Sequence, residues 1–215
     1  MIFWTLVLLL ALIAAGIIAV VVGSIITTIT TGLIIVWAVF GVLTLFFFRD
    51  PDPVTPSMGN AIVSPAHGRV DVIDEVEELS VMGGKCQRIS IFLSILDVHV
   101  QRAPASGRVI FLKHTIGKFL SSAKADCGEH NENALIGFEC SEYPGKLMGV
   151  RLIAGMLTRR IVTWVDLGEQ VKRSGRLSMI QYGSRCDLYL PMSTKVLVKL
   201  GAKVRGGETI VATFE

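Results

Sequence analysis

The sequence predicts a mainly β protein: a duplicated barrel-sandwich domain preceded by an N-terminal transmembrane helical hairpin. Three observations lead there. All 21 Lys and Arg, all 18 Asp and Glu and all 4 His lie at Arg49 or later, so an uncharged apolar segment precedes an ordinary polar one. The polar part reads as short β-branched and aromatic runs punctuated by Gly and Pro. Within it, two short segments each occur twice.

The apolar end is two runs, residues 2–22 and 25–48, with Gly23 and Ser24 between them. Each run is long enough to cross a hydrocarbon core about 30 Å thick at about 1.5 Å per residue. A tight turn at Gly23-Ser24 makes residues 1–48 a hairpin, and one long kinked helix is the alternative. Thr27, Thr28, Thr30 and Thr31 open the second run, where they lie at the interface or bond back to their own carbonyls. Trp4 and Trp37 are candidate anchors. No basic region precedes the first run, which argues against a cleaved signal peptide. Arg49 is the first flanking charge, and the positive-inside rule then favours a cytoplasmic domain. The net charge of +3 is too small to suggest nucleic acid and suits an anionic membrane surface.

Residues 49–60 hold Pro51, Pro53 and Pro56 and read as a stiff, extended linker. Residues 61–215 form one domain with ample length for its own core. Strands are expected at 70–73, 88–93, 99–101, 108–112, 151–153, 161–164 and 186–190. Residues 122–133 read as a loop or short helix, 147–157 as a strand bent at Gly149, and 164–180 as a turn-and-strand unit. Cys86, Cys127, Cys140 and Cys186 show no paired spacing, as in a reducing compartment. Cys127, His130 and Cys140 lack a convincing fourth partner for zinc, so no metal is expected.

Pro65-Ala66-His67-Gly68-Arg69-Val70 matches Pro104-Ala105-Ser106-Gly107-Arg108-Val109 at five of six positions. Val165-Asp166-Leu167-Gly168-Glu169-Gln170-Val171 matches Val198-Lys199-Leu200-Gly201-Ala202-Lys203-Val204 in its apolar and glycine frame. A duplicated half-domain explains both. These pieces resemble the turn signatures of lipoyl- and biotinyl-type domains, but no Met-Lys hairpin lies between them, so the resemblance is to the scaffold and not to carrier chemistry.

Two sites carry candidate chemistry. Gly183-Ser184 lies at a strand entry, where a serine oxygen can approach the preceding carbonyl because glycine tolerates the strained backbone. Attack by Ser184 on the Gly183 carbonyl gives an ester, and β-elimination then parts the chains and leaves a pyruvoyl group. A turn dipeptide is the plain alternative. His99 sits in a β-rich apolar run, as a core residue or as the side chain there suited to proton transfer near neutral pH.

Asp97-Val98-His99-Val100-Gln101-Arg102-Ala103-Pro104-Ala105-Ser106-Gly107 resembles the Asp-Val-His-Val-x-Arg-Ala-Pro-x-x-Gly motif of short-form phosphatidylserine decarboxylases, a family that includes archaetidylserine decarboxylases. Ser64-Pro65-Ala66-x-Gly68 is similar to its Ser-Pro-Ala-Asp-Gly motif, and Tyr182-Gly183-Ser184-Arg185-Cys186-Asp187 to its Phe-Gly-Ser-Arg-Val-Asp cleavage motif. Lys113–Phe119, the acidic run 129–133 and Phe47-Phe48-Arg49-Asp50-Pro51 also have counterparts, so the resemblance runs in order along nearly the whole chain. It implies a scissile Gly183–Ser184 bond, a β chain 1–183 and an α chain 184–215 beginning with a covalent pyruvoyl group made from Ser184. It implies that this group forms a Schiff base with the serine amine of phosphatidylserine or archaetidylserine, and that carbon dioxide and the ethanolamine lipid leave. His99 is the candidate proton donor, Arg102 a candidate substrate-binding residue, and no metal or diffusible cofactor is implied. The α and β chains remain partners and the membrane supplies substrate; a homodimer is a candidate assembly, for which the sequence shows no diagnostic surface.

One position departs from the pattern. His67 stands where the family's motif has an acid that takes part in self-cleavage. A neutral imidazole can itself accept the Ser184 proton; otherwise the chain remains an uncut proenzyme or a pseudoenzyme. A non-catalytic, membrane-anchored sandwich-domain adaptor is the remaining alternative. Arg159-Arg160 and Lys172-Arg173 are candidate phosphate contacts or solvated charge, and Met156 and Leu157 candidates for the interface or the core.

Overall fold

The structure is a computed structural model that describes residues 2–118, 130–156, 160–181 and 184–214. The chain divides into two compact units, one ending at Phe46 and the other beginning at Phe47. In place of the expected hairpin, the first is one continuous helix, α1 (Ile2–Phe47). The physical reason lies at the expected turn. Ser24 Oγ donates to the Val21 carbonyl, and Thr27 and Thr28 donate to the Gly23 and Ser24 carbonyls, each at 2.8 Å. Their hydroxyls are satisfied inside the helix, and no proline interrupts it. Its 46 residues span about 69 Å at about 1.5 Å per residue.

The second unit is mainly β in its described residues, and the duplication organises the three sheets they form. Its strands are β1 (Ala61–Val63), β2 (Gly68–Glu78), β3 (Gly84–Leu93), β4 (Val100–Arg102), β5 (Gly107–Thr115), β6 (Asn133–Cys140), β7 (Leu147–Ala154), β8 (Ile161–Thr163), β9 (Gln170–Val171), β10 (Arg176–Ile180), β11 (Ser184–Leu190), β12 (Thr194–Val196), β13 (Lys203–Val204) and β14 (Ile210–Phe214). One sheet of eight strands runs β13-β2-β3-β11-β7-β6-β5-β9. Two three-stranded sheets run β1-β14-β12 and β4-β10-β8. Exchange β1–β3 with β4–β6 and β11–β14 with β7–β10, and all three orders map onto themselves or each other. The exchange axis passes between β11 and β7.

The repeated sequences are the joints of this symmetry. Gly68 pairs with Val204, and Gly107 with Val171, so each Pro-Ala-x-Gly piece meets the end of a Val-x-x-Gly-x-x-Val piece. The Gly201 amide donates to Val70 O at 2.7 Å, and the Gly168 amide to Val109 O at 2.8 Å. A Cβ on Gly68 would stand 2.2 Å from Phe92 O, and one on Gly107 would stand 2.5 Å from Glu139 O. Both glycines are there because a neighbouring strand's backbone passes where a side chain would be. Reciprocal bonds join the halves: Val63 N donates to Pro104 O, and Arg102 N to Pro65 O.

Along β11, Cys186, Leu188 and Leu190 enter the main apolar core with Ile89, Ile91, Leu152 and Phe138. Ser184 shares their alternation and so faces the same side, while Arg185, Asp187 and Tyr189 face the other. All seven residues of β11 are buried. Residues 49–60, expected as a linker, are bound to the β unit. Arg173 donates to Met58 O and Gly59 O at 2.5 Å each, and Val54 N donates to Glu208 Oε1 at 3.3 Å.

Replacing Gly68 by Ala should cost more than ~3 kcal/mol, because its φ of +150° and the 2.2 Å approach both forbid a Cβ. Gly83→Ala, at a φ of +71° but in open space, should cost only about 1 kcal/mol. Denaturant midpoints of the two variants check this, and a Gly68→Ala chain as stable as its parent would contradict it.

Candidate functional site

Ser184 opens β11 and pairs with Leu93 on β3 and Ala154 on β7. It is fully buried, and its Oγ has no hydrogen-bond partner among the described residues. A buried hydroxyl left unpaired costs about 1–3 kcal/mol, which makes it a candidate for chemistry rather than for scaffolding. Gly183 and Tyr182 lie outside the described residues. The partner strands are themselves fixed. Asn131 Nδ2 donates to Ala154 O at 2.7 Å, and the Ala154 amide donates to Glu132 O.

Beyond Leu93 the chain turns at Ser94 and Asp97. The Asp97 carboxylate accepts from the Ser94 amide at 2.8 Å, and the Asp97 amide donates to Ser94 O. This turn delivers His99, fully buried, with Nδ1 2.9 Å from the Asp97 carbonyl. A carbonyl only accepts, so Nδ1 carries the proton and Nε2 of the neutral ring is the basic nitrogen. Burial lowers the His99 pKa; the Asp97 carbonyl bond and carboxylate oppose this, and Arg49 adds to it. The ring is therefore neutral at pH 7. Its backbone carbonyl accepts from the Ile180 amide, four residues before Ser184, so the histidine turn and the head of β11 share one end of the unit.

His67 lies in the Pro65–Gly68 turn, with its Cδ2 3.1 Å from where a Cβ on Gly206 would be. Burial lowers its pKa as well; Glu208 and Asp97 raise it, and Arg49 and Arg102 lower it. His67 and His99 thus feel the same two charges, Asp97 and Arg49, which places both imidazoles in one electrostatic neighbourhood.

Arg102, the candidate substrate contact, has internal partners. Its side chain is 7% exposed and forms an ion pair with Asp50, with further bonds to Pro51 O at 3.0 Å and Ser174 O at 3.4 Å. The sequence showed an arginine near the histidine but not that Asp50 returns to cover it. Arg173 is likewise committed, 8% exposed and bonded to Glu142 at 2.6 Å as well as to residues 58 and 59. Arg160 and Met156 are exposed, whereas Arg159, Leu157 and most of the 122–133 segment, Cys127 included, lie outside the described residues.

The outward face of β11 carries a buried polar network. Ser90 Oγ donates to Asp187 Oδ1 at 2.5 Å, Arg88 forks onto Asp74 at 2.9 and 2.6 Å, and Arg185 donates to Asp71 at 2.5 Å. Burial pushes the Asp187 carboxyl up, against Ser90, Arg88, Arg185 and Arg151, which pull it down. Arg185 and Asp187 thus hold the segment that begins at Ser184 in place from its far side.

A family model described as phosphatidylserine decarboxylase matches residues 40–212. The chain belongs to the phosphatidylserine decarboxylase family. Similar chains include phosphatidylserine decarboxylase proenzymes of Desulfotalea psychrophila, 40% identical over 78% of this chain and 78% of its own, and of Symbiobacterium thermophilum, 38% identical over 88% and 90%. That of Syntrophus aciditrophicus is 41% identical over 80% of this chain and 79% of its own. The match takes in residues 47–51 and the β unit as far as residue 212.

Asp187→Ala should destabilise the chain by about 2–3 kcal/mol, because it leaves the buried Ser90 hydroxyl without its acceptor and opens a void inside the network. Asp74→Ala, at a carboxylate 39% exposed, should cost nearer 1 kcal/mol. Thermal or denaturant unfolding of the two variants checks the order, and equal costs would contradict it.

Proposed function

We propose that the chain is a self-cleaving phospholipid decarboxylase that removes the carboxylate of a serine headgroup, with Ser184 as the source of a covalent pyruvoyl group. The observation that carries this reading is the buried, unpartnered Ser184 Oγ at the head of β11, in a family of decarboxylase proenzymes. A residue that must lose its hydroxyl to become a carbonyl is well served by a hydroxyl that holds nothing else, so the site fits the group.

In self-cleavage, Ser184 Oγ bonds to the Gly183 carbonyl carbon as the amide C–N bond breaks, and the hydroxyl proton passes to a base and then to the freed nitrogen. His67 and His99, both with lowered pKa values, are the candidates for that base. Loss of the Ser184 Cα proton then expels the Gly183 carboxylate, and water replaces the nitrogen as ammonia. The pyruvoyl group supplies an electron sink for the pair left when carbon dioxide departs. His99 is buried, oriented by Asp97 and placed to hold or deliver a proton at Nε2. Arg102 holds residues 50 and 51 and remains a candidate contact for the headgroup.

The two products remain one body. β11, β13 and β14 of the smaller piece pair with β3, β7, β2 and β1 of the larger. The uncharged helix α1 serves as the membrane anchor, with Arg49 as the first flanking cation supporting a cytoplasmic β unit. Diacyl and archaeal ether lipids present the same reacting headgroup, and family likeness alone supports a pair of copies. An uncut proenzyme is the second reading, favoured by His67 in the acid position.

Wild-type chain on phosphatidylserine vesicles should release carbon dioxide and form the ethanolamine lipid, and Ser184→Ala should abolish this. His99→Ala should lower turnover by at least about 10²-fold; full turnover would remove His99 from the mechanism. Because burial lowers both histidine pKa values, the cleavage rate should stay level as pH falls from 8 to about 6.5 and decline only below that. A decline beginning above pH 7 would contradict neutral, depressed imidazoles.

A further inference from the structure

His99 has a second set of contacts that neither self-cleavage nor headgroup chemistry explains. Phe47, the last residue of α1, is 5% exposed, and its ring lies over the His99 imidazole with centroids 4.3 Å apart and planes tilted by 33°. Phe48 meets the Phe47 ring edge-on at 5.0 Å. The next residues are fastened to the same turn and strands. Arg49 Nη2 donates to Leu96 O at 2.6 Å, within the turn that delivers His99. Asp50 bridges Arg102 at the end of β4 and Arg176 Nε at the start of β10, the latter at 2.5 Å. Arg102 also donates to Pro51 O. Five consecutive residues therefore bind both flanks of His99 and cover one face of its ring.

We propose that residues 47–51 are a positioning strap for His99, in which the Phe47 ring fixes the imidazole plane and excludes water from it, and the Arg49 and Asp50 contacts keep Phe47 seated. The inference rests on His99 as the proton-transfer group. An exposed imidazole rotates about χ2 and is hydrated, whereas one packed against an aromatic face and tied at Nδ1 has one orientation. The strap also brings charge. Among the described residues, the charged groups acting on His99 are Asp97 from its own turn, which raises its pKa, and Arg49 from the strap, which lowers it; from β10 the contact is the Ile180 amide. The strap thus makes His99 neutral in two ways, by burial and by a nearby cation.

The test is made in the uncut, full-length Ser184→Ala chain in phosphatidylcholine–phosphatidylglycerol nanodiscs, with histidine side chains isotopically labelled and the His99 signal assigned by its loss in His99→Gln. Phe47→Ala should move the His99 titration midpoint upward by about half a pH unit or more, toward the ordinary value of about 6.5. Phe47→Leu, which keeps an apolar cover, should recover most of the difference. Asp50→Asn, which weakens the latch and leaves Phe47 intact, should shift it in the same direction by less. Phe138→Leu, a core change elsewhere, should lower stability and leave the His99 midpoint where it was. In the cleaving background, Phe47→Ala should lower kcat and move the acid limb of its pH profile upward with KM for phosphatidylserine vesicles unchanged. A His99 midpoint unmoved in both Phe47→Ala and Asp50→Asn would overturn the strap, as would an equal shift in Phe138→Leu. Since the titration is read without turnover, it stands apart from the decarboxylase reading, which fails instead if His99→Ala retains full activity.

Discussion

The structure depends on one strand being paired along both edges. β11 lies beside the exchange axis of the duplicated unit, between β3 and β7, and Ser184 is its first residue. A strand so placed has its backbone groups taken up by its neighbours and its side chains enclosed on both faces. The hydroxyl at its head is consequently deprived of water without being given a partner. An edge strand would have left Ser184 hydrated.

Duplication built this position, but only one half uses it. Arg69 pairs with Phe92 as Arg108 pairs with Glu139, so Leu93 corresponds to Cys140. Ser184 pairs with Leu93, and the Cys140 amide donates to Lys146 O, which makes Lys146 the counterpart of Ser184. Lys146 instead reaches Ser193 with its Nζ, at 2.8 Å, as an exposed structural contact. The same frame thus holds a buried, unpartnered serine on one side and a lysine with an exposed contact on the other. What differs is the surrounding set: Asp97 and His99 follow the Leu93 that pairs with Ser184, and Asp97 acts on both His99 and His67.

The duplicated frame was legible because its glycines are compelled by backbone approach. Gly68 and Gly107 touch neighbouring carbonyls, and Gly168 and Gly201 turn with φ of +88° and +83°, so the repeated motifs had to recur with the repeated geometry. Seven of the strands showed in their β-branched runs, whereas two-residue β9 and β13 are too short to give a period. The helix departed from expectation because Gly23, Ser24 and the threonines read equally as a turn or as back-bonded helix, and local hydrogen bonds decide between these. At the candidate site, His99, Ser184 and His67 stood out by residue type and motif. Asn131 beside Ala154, and Phe47 and Asp50 over His99 and Arg102, did not, because their partners are remote in sequence. The ion pair of Arg102 with a residue ahead of the first strand was likewise hidden, because Asp50 and Arg102 are 52 residues apart.

The central claim is that Ser184 is a reacting group and not a buried turn residue. The most direct measurement is the intact mass of the purified chain under denaturing conditions. The account predicts two fragments, the smaller comprising residues 184–215 with a pyruvoyl group at its start and no free amino terminus. A single uncut chain of 23.3 kDa would contradict it and leave His67 as the residue that stalls the proenzyme.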